Sequence, residues 1–137
     1  SNRNKLINYI RKNKMSSVIK IISFKKNPYK YLRQADIFLL TSKFEGLPNV
    51  LLEAQCLKKY IISTACPTGP KEILLNGNAG IFFKMNNYKD LAHKIEFIYN
   101  NKKAMKKKSI IGYNNINRFD EKTNLNKYYL VLKKHLY

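Results

Sequence analysis

Two carboxylates stand eight residues apart in the segment Lys43-Phe44-Glu45-Gly46-Leu47-Pro48-Asn49-Val50-Leu51-Leu52-Glu53-Ala54. An ionised carboxylate only accepts hydrogen bonds, so Glu45 and Glu53 around one loop suit a ligand rich in hydroxyls. Gly46 lets backbone approach a ligand closely, and Pro48 fits the first position of a helix. The first N–H groups of such a helix have no intrahelical partner and lie at the positive end of its dipole, where a phosphate is stabilised. Asn49 and Glu53 are four apart and share one helix face. Glu53 can accept two hydrogen bonds from a vicinal diol such as a ribose. Glu45, just before the helix, lies where a group attached to the phosphate would project. Plainer roles are open to both: Glu45 can complement the helix N-terminus and Glu53 can be a solvated helix residue.

The elements that must position these groups alternate between strand and helix. Residues 3–14 read as a helix with Leu6, Ile7 and Ile10 on one face. The β-rich run 18–23 reads as a strand, and Pro28 opens a short helix to about Gln34. Residues 36–41 are almost uniformly apolar, as expected of a parallel strand covered on both faces. A helix over 48–58 follows the glutamate loop. Next come a strand at 60–64, the loop 65–70, a short helix at 71–75, a turn at Asn76-Gly77-Asn78 and a strand at 80–83. A helix at 88–99 turns Leu91, Ile95 and Ile98 inward. Helices at 103–117 and 124–136 close the chain, broken near Phe119-Asp120. The alternation predicts an α/β fold with a parallel sheet of about four strands flanked by helices. Such sheets bind ligands beyond the carboxyl ends of their strands.

The 137 residues suit one domain, taken over 1–137, with a real core; the hydrophobic fraction is 45%. No apolar run approaches the ~18 residues of a membrane span, and no signal-peptide pattern opens the sequence, so a cytoplasmic protein is expected. Two cysteines, Cys56 and Cys66, are too few for a metal cluster and read as reduced thiols. The charge is extreme, 27 Lys+Arg against 8 Asp+Glu, net +19. An anionic membrane surface is therefore a candidate partner, with peripheral attachment at its inner face. The lysines are nonetheless spread along the chain, and their company of Asn and Ile fits a compositional bias with solvated helix faces. No nucleic-acid-binding motif appears, and nucleic acid is not expected.

The glutamate segment resembles the Glu-x7-Glu motif of retaining family 4 glycosyltransferases (glycosyl transferases group 1), which have the two-domain GT-B fold. The flanking runs extend the resemblance. Val18-Ile19-Lys20-Ile21-Ile22-Ser23-Phe24, Asn27-Pro28-Tyr29-Lys30-Tyr31-Leu32 and Ala35-Asp36-Ile37-Phe38-Leu39-Leu40-Thr41-Ser42 look like the usual run before the motif. Cys66-Pro67-Thr68-Gly69-Pro70-Lys71-Glu72-Ile73-Leu74 and Asn78-Ala79-Gly80-Ile81 look like the run after it. The resemblance covers about residues 3–100.

It implies a nucleotide-sugar-dependent hexosyl transfer to an acceptor hydroxyl with retention, in surface polysaccharide or glycan biosynthesis, with no metal or other cofactor. Glu45 would be the catalytic-site carboxylate that contacts donor-sugar hydroxyls near the reacting carbon, and Glu53 would bind the ribose. Backbone around Gly46, Leu47, Pro48 and Asn49 would serve sugar and diphosphate. Phe24 and Lys25 would lie near the nucleobase of a UDP- or GDP-linked donor, and Thr68, Gly69 and Glu72 near the donor. The resemblance also implies that this is an N-terminally incomplete donor-binding domain, with a partial Rossmann-like parallel sheet, from the C-terminal half of a GT-B enzyme. The acceptor, a glycan or lipid-linked species, would be held by a missing N-terminal domain, and the chain would be inactive alone. The Arg and Lys with which the family grips the diphosphate have no match here. In the family's strand order 3-2-1-4-5-6, residues 18–23 and 36–41 are not neighbours, so an unpaired edge is expected to favour homo-oligomers. A basic binding module and a GT-B nucleotide-sugar epimerase fragment remain the alternatives.

Other candidates are weaker. His93 and His135 have no metal-ligand partners at suitable spacing. Ser42 and Thr68 lack a His-Asp arrangement that would make them nucleophiles. Glu72 can face the donor or complement the short helix that contains it.

Overall fold

A computed structural model describes residues 2–136. The chain forms two compact units, residues 1–30 and 31–137. In the first unit, α1 (Asn2–Lys12) buries Ile10. Lys14 turns the chain in the left-handed region (φ 54°), and the Met15 N–H donates back to the Ile10 carbonyl at 2.9 Å. Arg3 Nη2 donates to Ser23 Oγ at 3.2 Å.

Residues 18–23 do not form the expected strand; among the described residues they enter no sheet. β-branched composition fits a pleated surface only when a neighbouring strand takes up the backbone donors and acceptors. Here Val18 is 80% exposed and Phe24 93%. The sheet therefore has three strands instead of about four.

α2 (Tyr29–Gln34) starts where the Asn27 side chain accepts from the Tyr29 N–H at 3.1 Å. In the second unit, β1 (Ile37–Leu40), β2 (Tyr60–Thr64) and β3 (Ile81–Phe83) pair in parallel in the order β1-β2-β3, with Leu40 opposite Ser63 and Thr64 opposite Phe83. The period of two sends alternate residues to opposite faces. Leu40 and Ile61 pack with Leu51, Ala54, Ile73 and Leu74 from α3 (Asn49–Cys56) and α4 (Pro70–Ile73) with its exit. Ile62 and Phe83 pack on the other face with Ile98 of α5 (Tyr88–Asn100) and Met105 of α6 (Lys102–Asn114). Each buried Leu, Ile, Phe or Met among them contributes about 1.5–3 kcal/mol on burial. Ile95, expected inward, is 37% exposed.

α6 crosses from one face to the other beneath the amino ends of the strands. Its Lys102 carbonyl accepts from Tyr60 Oη at 3.1 Å. Its Gly112 lies against Gln55 of α3, where a Cβ would come within 2.8 Å of Gln55 Nε2. A 3-10 turn (Ile116–Phe119) and α7 (Glu121–Leu136) follow. The side chain of His135 lies outside the described residues. No described helix is long and apolar enough to cross a membrane.

Candidate functional site

The loops that leave β1 and β2 at the carboxyl edge of the sheet are bound to each other. The Ser42 carbonyl accepts from Thr64 Oγ1 at 2.5 Å and from Cys66 Sγ at 3.2 Å. Three residues further on, the Glu45 carbonyl accepts from Thr68 Oγ1 at 2.6 Å. Gly69 then sits on Gly46 and Pro48. It has φ +74°, and a Cβ there would stand 2.0 Å from the Gly46 carbonyl oxygen and 2.7 Å from Pro48 Cδ. Only glycine combines that backbone angle with that approach.

Gly46 differs. It is exposed, and a Cβ on it would meet nothing within 4 Å. Packing within the chain gives no reason for a glycine there; the backbone faces open space.

Pro48 is the N-cap of α3 (φ −72°, ψ 94°), one residue earlier than the first helical position expected. The shift arises because the helix needs an extended residue to enter from the loop, and proline's fixed φ serves there as well. No side chain caps α3 and no acidic residue occupies its first turn. The N–H groups of Asn49 and Val50 thus keep their hydrogen-bonding capacity at the positive end of the helix, while that of Leu51 donates to the Pro48 carbonyl at 2.9 Å. Asn49 is exposed at the first helical position; Glu53, a turn later, is half-buried, as is Glu45. Leu47 is 49% exposed and Pro48 is buried.

Of the residues predicted from sequence, the structure gathers Glu45 to Asn49, Glu53, Thr68 and Gly69 at one strand–loop–helix junction. Glu72 is exposed in the first turn of α4. Phe24 and Lys25 are exposed in the first unit. Among the described residues no three His, Cys, Asp or Glu side chains could together hold a metal ion.

A supporting layer went unread in the sequence. Gln55, 2% exposed, donates from Nε2 to the Ile73 carbonyl at 3.1 Å and ties α3 to α4. Arg118 Nη2 donates to the carbonyls of Glu72 and of Ile73, the latter at 3.0 Å, closing the end of α4. Gly112 was the available signal for the Gln55 contact, because a mid-helix glycine costs about 1 kcal/mol and needs a packing reason.

Residues 1–118 match the family model described as Glycosyl transferases group 1. The chain belongs to that family. It is 42% identical over 72 residues to an uncharacterized glycosyltransferase of Methanocaldococcus jannaschii, covering 53% of this chain and 18% of that protein. To the capsular polysaccharide biosynthesis glycosyltransferase CapM of Staphylococcus aureus it is 28% identical over 102 residues, covering 74% and 26%. The crystal structure of Anabaena HepE in complex with UDP covers 96% of this chain and 36% of its own, with TM-score 0.85 and 17% identity. The crystal structure of a glycosyltransferase from Rickettsia africae shares this fold too, covering 98% of this chain and 36% of its own with TM-score 0.85 and 24% identity. The matches thus span about a quarter or less of these curated relatives and about a third of the solved neighbours.

Proposed function

We propose that this chain forms the donor-binding part of a retaining family 4 glycosyltransferase that moves a hexosyl group from a nucleoside diphosphate to an acceptor hydroxyl. One observation carries the reading: the interlocked junction leaves an uncapped helix N-terminus and an open glycine backbone between two half-buried glutamates. Family membership, a solved neighbour bound to UDP and a relative named for capsular polysaccharide biosynthesis support it.

In this reading the diphosphate lies against the leading N–H groups of α3, the sugar extends over Gly46 toward Glu45, and the ribose diol reaches Glu53. In the reaction the bond from the anomeric carbon to the diphosphate oxygen breaks and the acceptor oxygen bonds to the same carbon on the same face. The diphosphate leaves with an added negative charge, and the acceptor hydroxyl loses its proton. Fixed N–H donors stabilise that charge without reorganising. Glu45 holds sugar hydroxyls beside the reacting carbon, where its negative charge also favours a cationic transition state. Acceptor choice and catalysis would be properties of a whole two-domain enzyme.

Titration with UDP and with GDP, read by ligand-observed NMR, tests the reading. One of them should bind, and Glu53→Ala should weaken it about tenfold, the loss of ~1.4 kcal/mol expected of hydrogen bonds to a charged group. Equal binding by the variant would sink the ribose role.

A further inference from the structure

A cavity of about 250 Å³ opens at the same carboxyl edge, on the sheet face that carries α5, and none of the site residues above lines it. Its floor comes from the strand ends: Thr41 just beyond β1, Thr64 of β2 and Phe83 of β3. Its wall comes from the turn before α5, Asn86 to Tyr88, with Leu91 a turn later. We propose that this cavity binds one neutral, hydroxyl-rich unit, a single sugar residue of the acceptor, next to the donor junction, while the rest of the acceptor would lie on the other domain of a whole enzyme.

Four features lead there. First, no Lys, Arg, Asp or Glu lines the cavity, in a chain with 27 basic residues. A phosphate or carboxylate would find no counter-charge, so the ligand is uncharged.

Second, the polar lining is largely uncommitted, Thr64 Oγ1 excepted, which donates to the Ser42 carbonyl. The Asn86 amide, Asn87 Nδ2, Tyr88 Oη and Thr41 Oγ1 make no hydrogen bonds among the described residues; Asn87 uses only Oδ1, which caps α5 by accepting from the Asp90 N–H at 3.0 Å. A carboxamide offers a donor and an acceptor side by side, the pattern that two adjacent hydroxyls present. Tyr88, 77% exposed, supplies an apolar ring for the C–H face of a pyranose, above a floor closed by the buried Phe83. The cavity beneath the amino ends of the strands differs. It is lined by lysines, but Lys59 Nζ is spent on the Arg33 carbonyl and Tyr60 Oη on the Lys102 carbonyl.

Third, the turn is preformed. Lys84 N–H donates to Asp90 Oδ2 at 2.7 Å, Asn87 N–H to the Lys84 carbonyl at 3.0 Å, and Asn86 holds φ 59°. A ligand meets groups already ordered, which lowers the entropy cost of binding.

Fourth, size and place agree. The volume lies below the ~300–1,000 Å³ of pockets for drug-sized ligands, so it suits a single unit. Thr41 starts the same loop that reaches Glu45, so an occupant lies beside the donor sugar.

The assignment to an acceptor rests on the donor reading, and the test separates the two. The chain is titrated with methyl glucoside, methyl N-acetylglucosaminide, inorganic phosphate and UDP, observing its amide and methyl NMR signals. Neutral glycosides should move the Asn86 and Asn87 side-chain amides and the Leu91 methyls. Tyr88→Ala, at a side chain 77% exposed and so safe for folding, should weaken them about fivefold. UDP should move the Gly46 and Asn49 signals instead. Glycosides that leave the Asn86–Leu91 signals still, while UDP binds, overturn this inference and leave the donor site standing. Phosphate moving those signals in place of glycosides overturns the neutral class. Absence of binding by UDP, and by GDP titrated in the same way, removes the donor site and the acceptor assignment with it.

Discussion

The loop contact at Gly69 is open to a sharp test. Gly69→Ala puts an L side chain at φ +74°, a cost of about 1–2 kcal/mol. It also places a Cβ 2.0 Å from the Gly46 carbonyl oxygen, where ordinary contact begins at 3.4 Å. Both obstacles are backbone or a proline ring, so the two loops must part by well over an ångström. Overpacking of that kind costs about 1–3 kcal/mol. The sum, ~2–5 kcal/mol, is a large share of the ~5–15 kcal/mol that holds a domain together. Gly46→Ala is the control, because its Cβ enters open space and its φ is not positive. It should change stability by no more than ~0.5 kcal/mol while weakening a nucleotide sugar, whose sugar lies over Gly46, about tenfold, if ligand backbone approach is what Gly46 provides. Urea unfolding reads the first effect and nucleotide-sugar titration the second. The reasoning fails if Gly69→Ala unfolds within ~0.5 kcal/mol of the parent chain, or if Gly46→Ala is as destabilising as Gly69→Ala.

Three further substitutions probe the supporting contacts. Thr68→Val removes the hydrogen bond to the Glu45 carbonyl at constant shape; stability should fall by about 1 kcal/mol and UDP-sugar affinity with it, and an unchanged midpoint and affinity would show the bond to be idle. Arg118→Ala strips the Glu72 and Ile73 carbonyls of a charged donor and removes a guanidinium 4.6 Å from the Phe119 ring centroid. A loss of ~1.5–3 kcal/mol is expected, with faster hydrogen exchange in α4, and slow exchange there would refute the clamp. Lys58→Gly relieves a left-handed residue at the end of α3 (φ 51°) but gives up a lysine ammonium 4.2 Å from the Tyr113 ring centroid. Relief of about 1–2 kcal/mol against a contact of ~0.5–1 predicts a modest rise in melting temperature, and a fall would reverse that ranking.

What could be read from residues depended on how local the cause was. β2 was legible because a strand covered on both faces has no polar alternation to hide it; β1 was legible from its apolar run alone, since Leu39 is 40% exposed. The α3 start was legible to within one residue because proline fixes φ near the helical value and Pro48 marks the helix entry. The run 18–23 misled because side-chain type records fitness for a sheet, whereas a strand exists only with a partner. Gln55, Arg118 and Gly112 were illegible for a different reason. Their function is to meet residues 18 to 57 positions away, and a single sequence carries no trace of such pairings beyond an oddly placed glycine.

The same distinction explains how the junction can be both open and rigid. A binding loop that exposes backbone donors cannot stabilise itself with them, so its order must come from elsewhere. Here it comes from three directions that leave the Gly46 backbone untouched. β2's end holds Ser42, the following loop holds the Glu45 carbonyl and packs against Pro48, and Gln55 with Arg118 fixes the Ile73 end of α4. Each contact uses a carbonyl or a ring face; none uses the leading N–H groups of α3. If those N–H groups receive the diphosphate, substitutions in the support should weaken stability and donor binding together. Substitutions at Glu53 or Gly46 should weaken binding with stability preserved. Measuring both quantities across the two sets distinguishes a donor site from a loop that is merely well packed, because in a merely packed loop every variant that loses affinity would also lose stability.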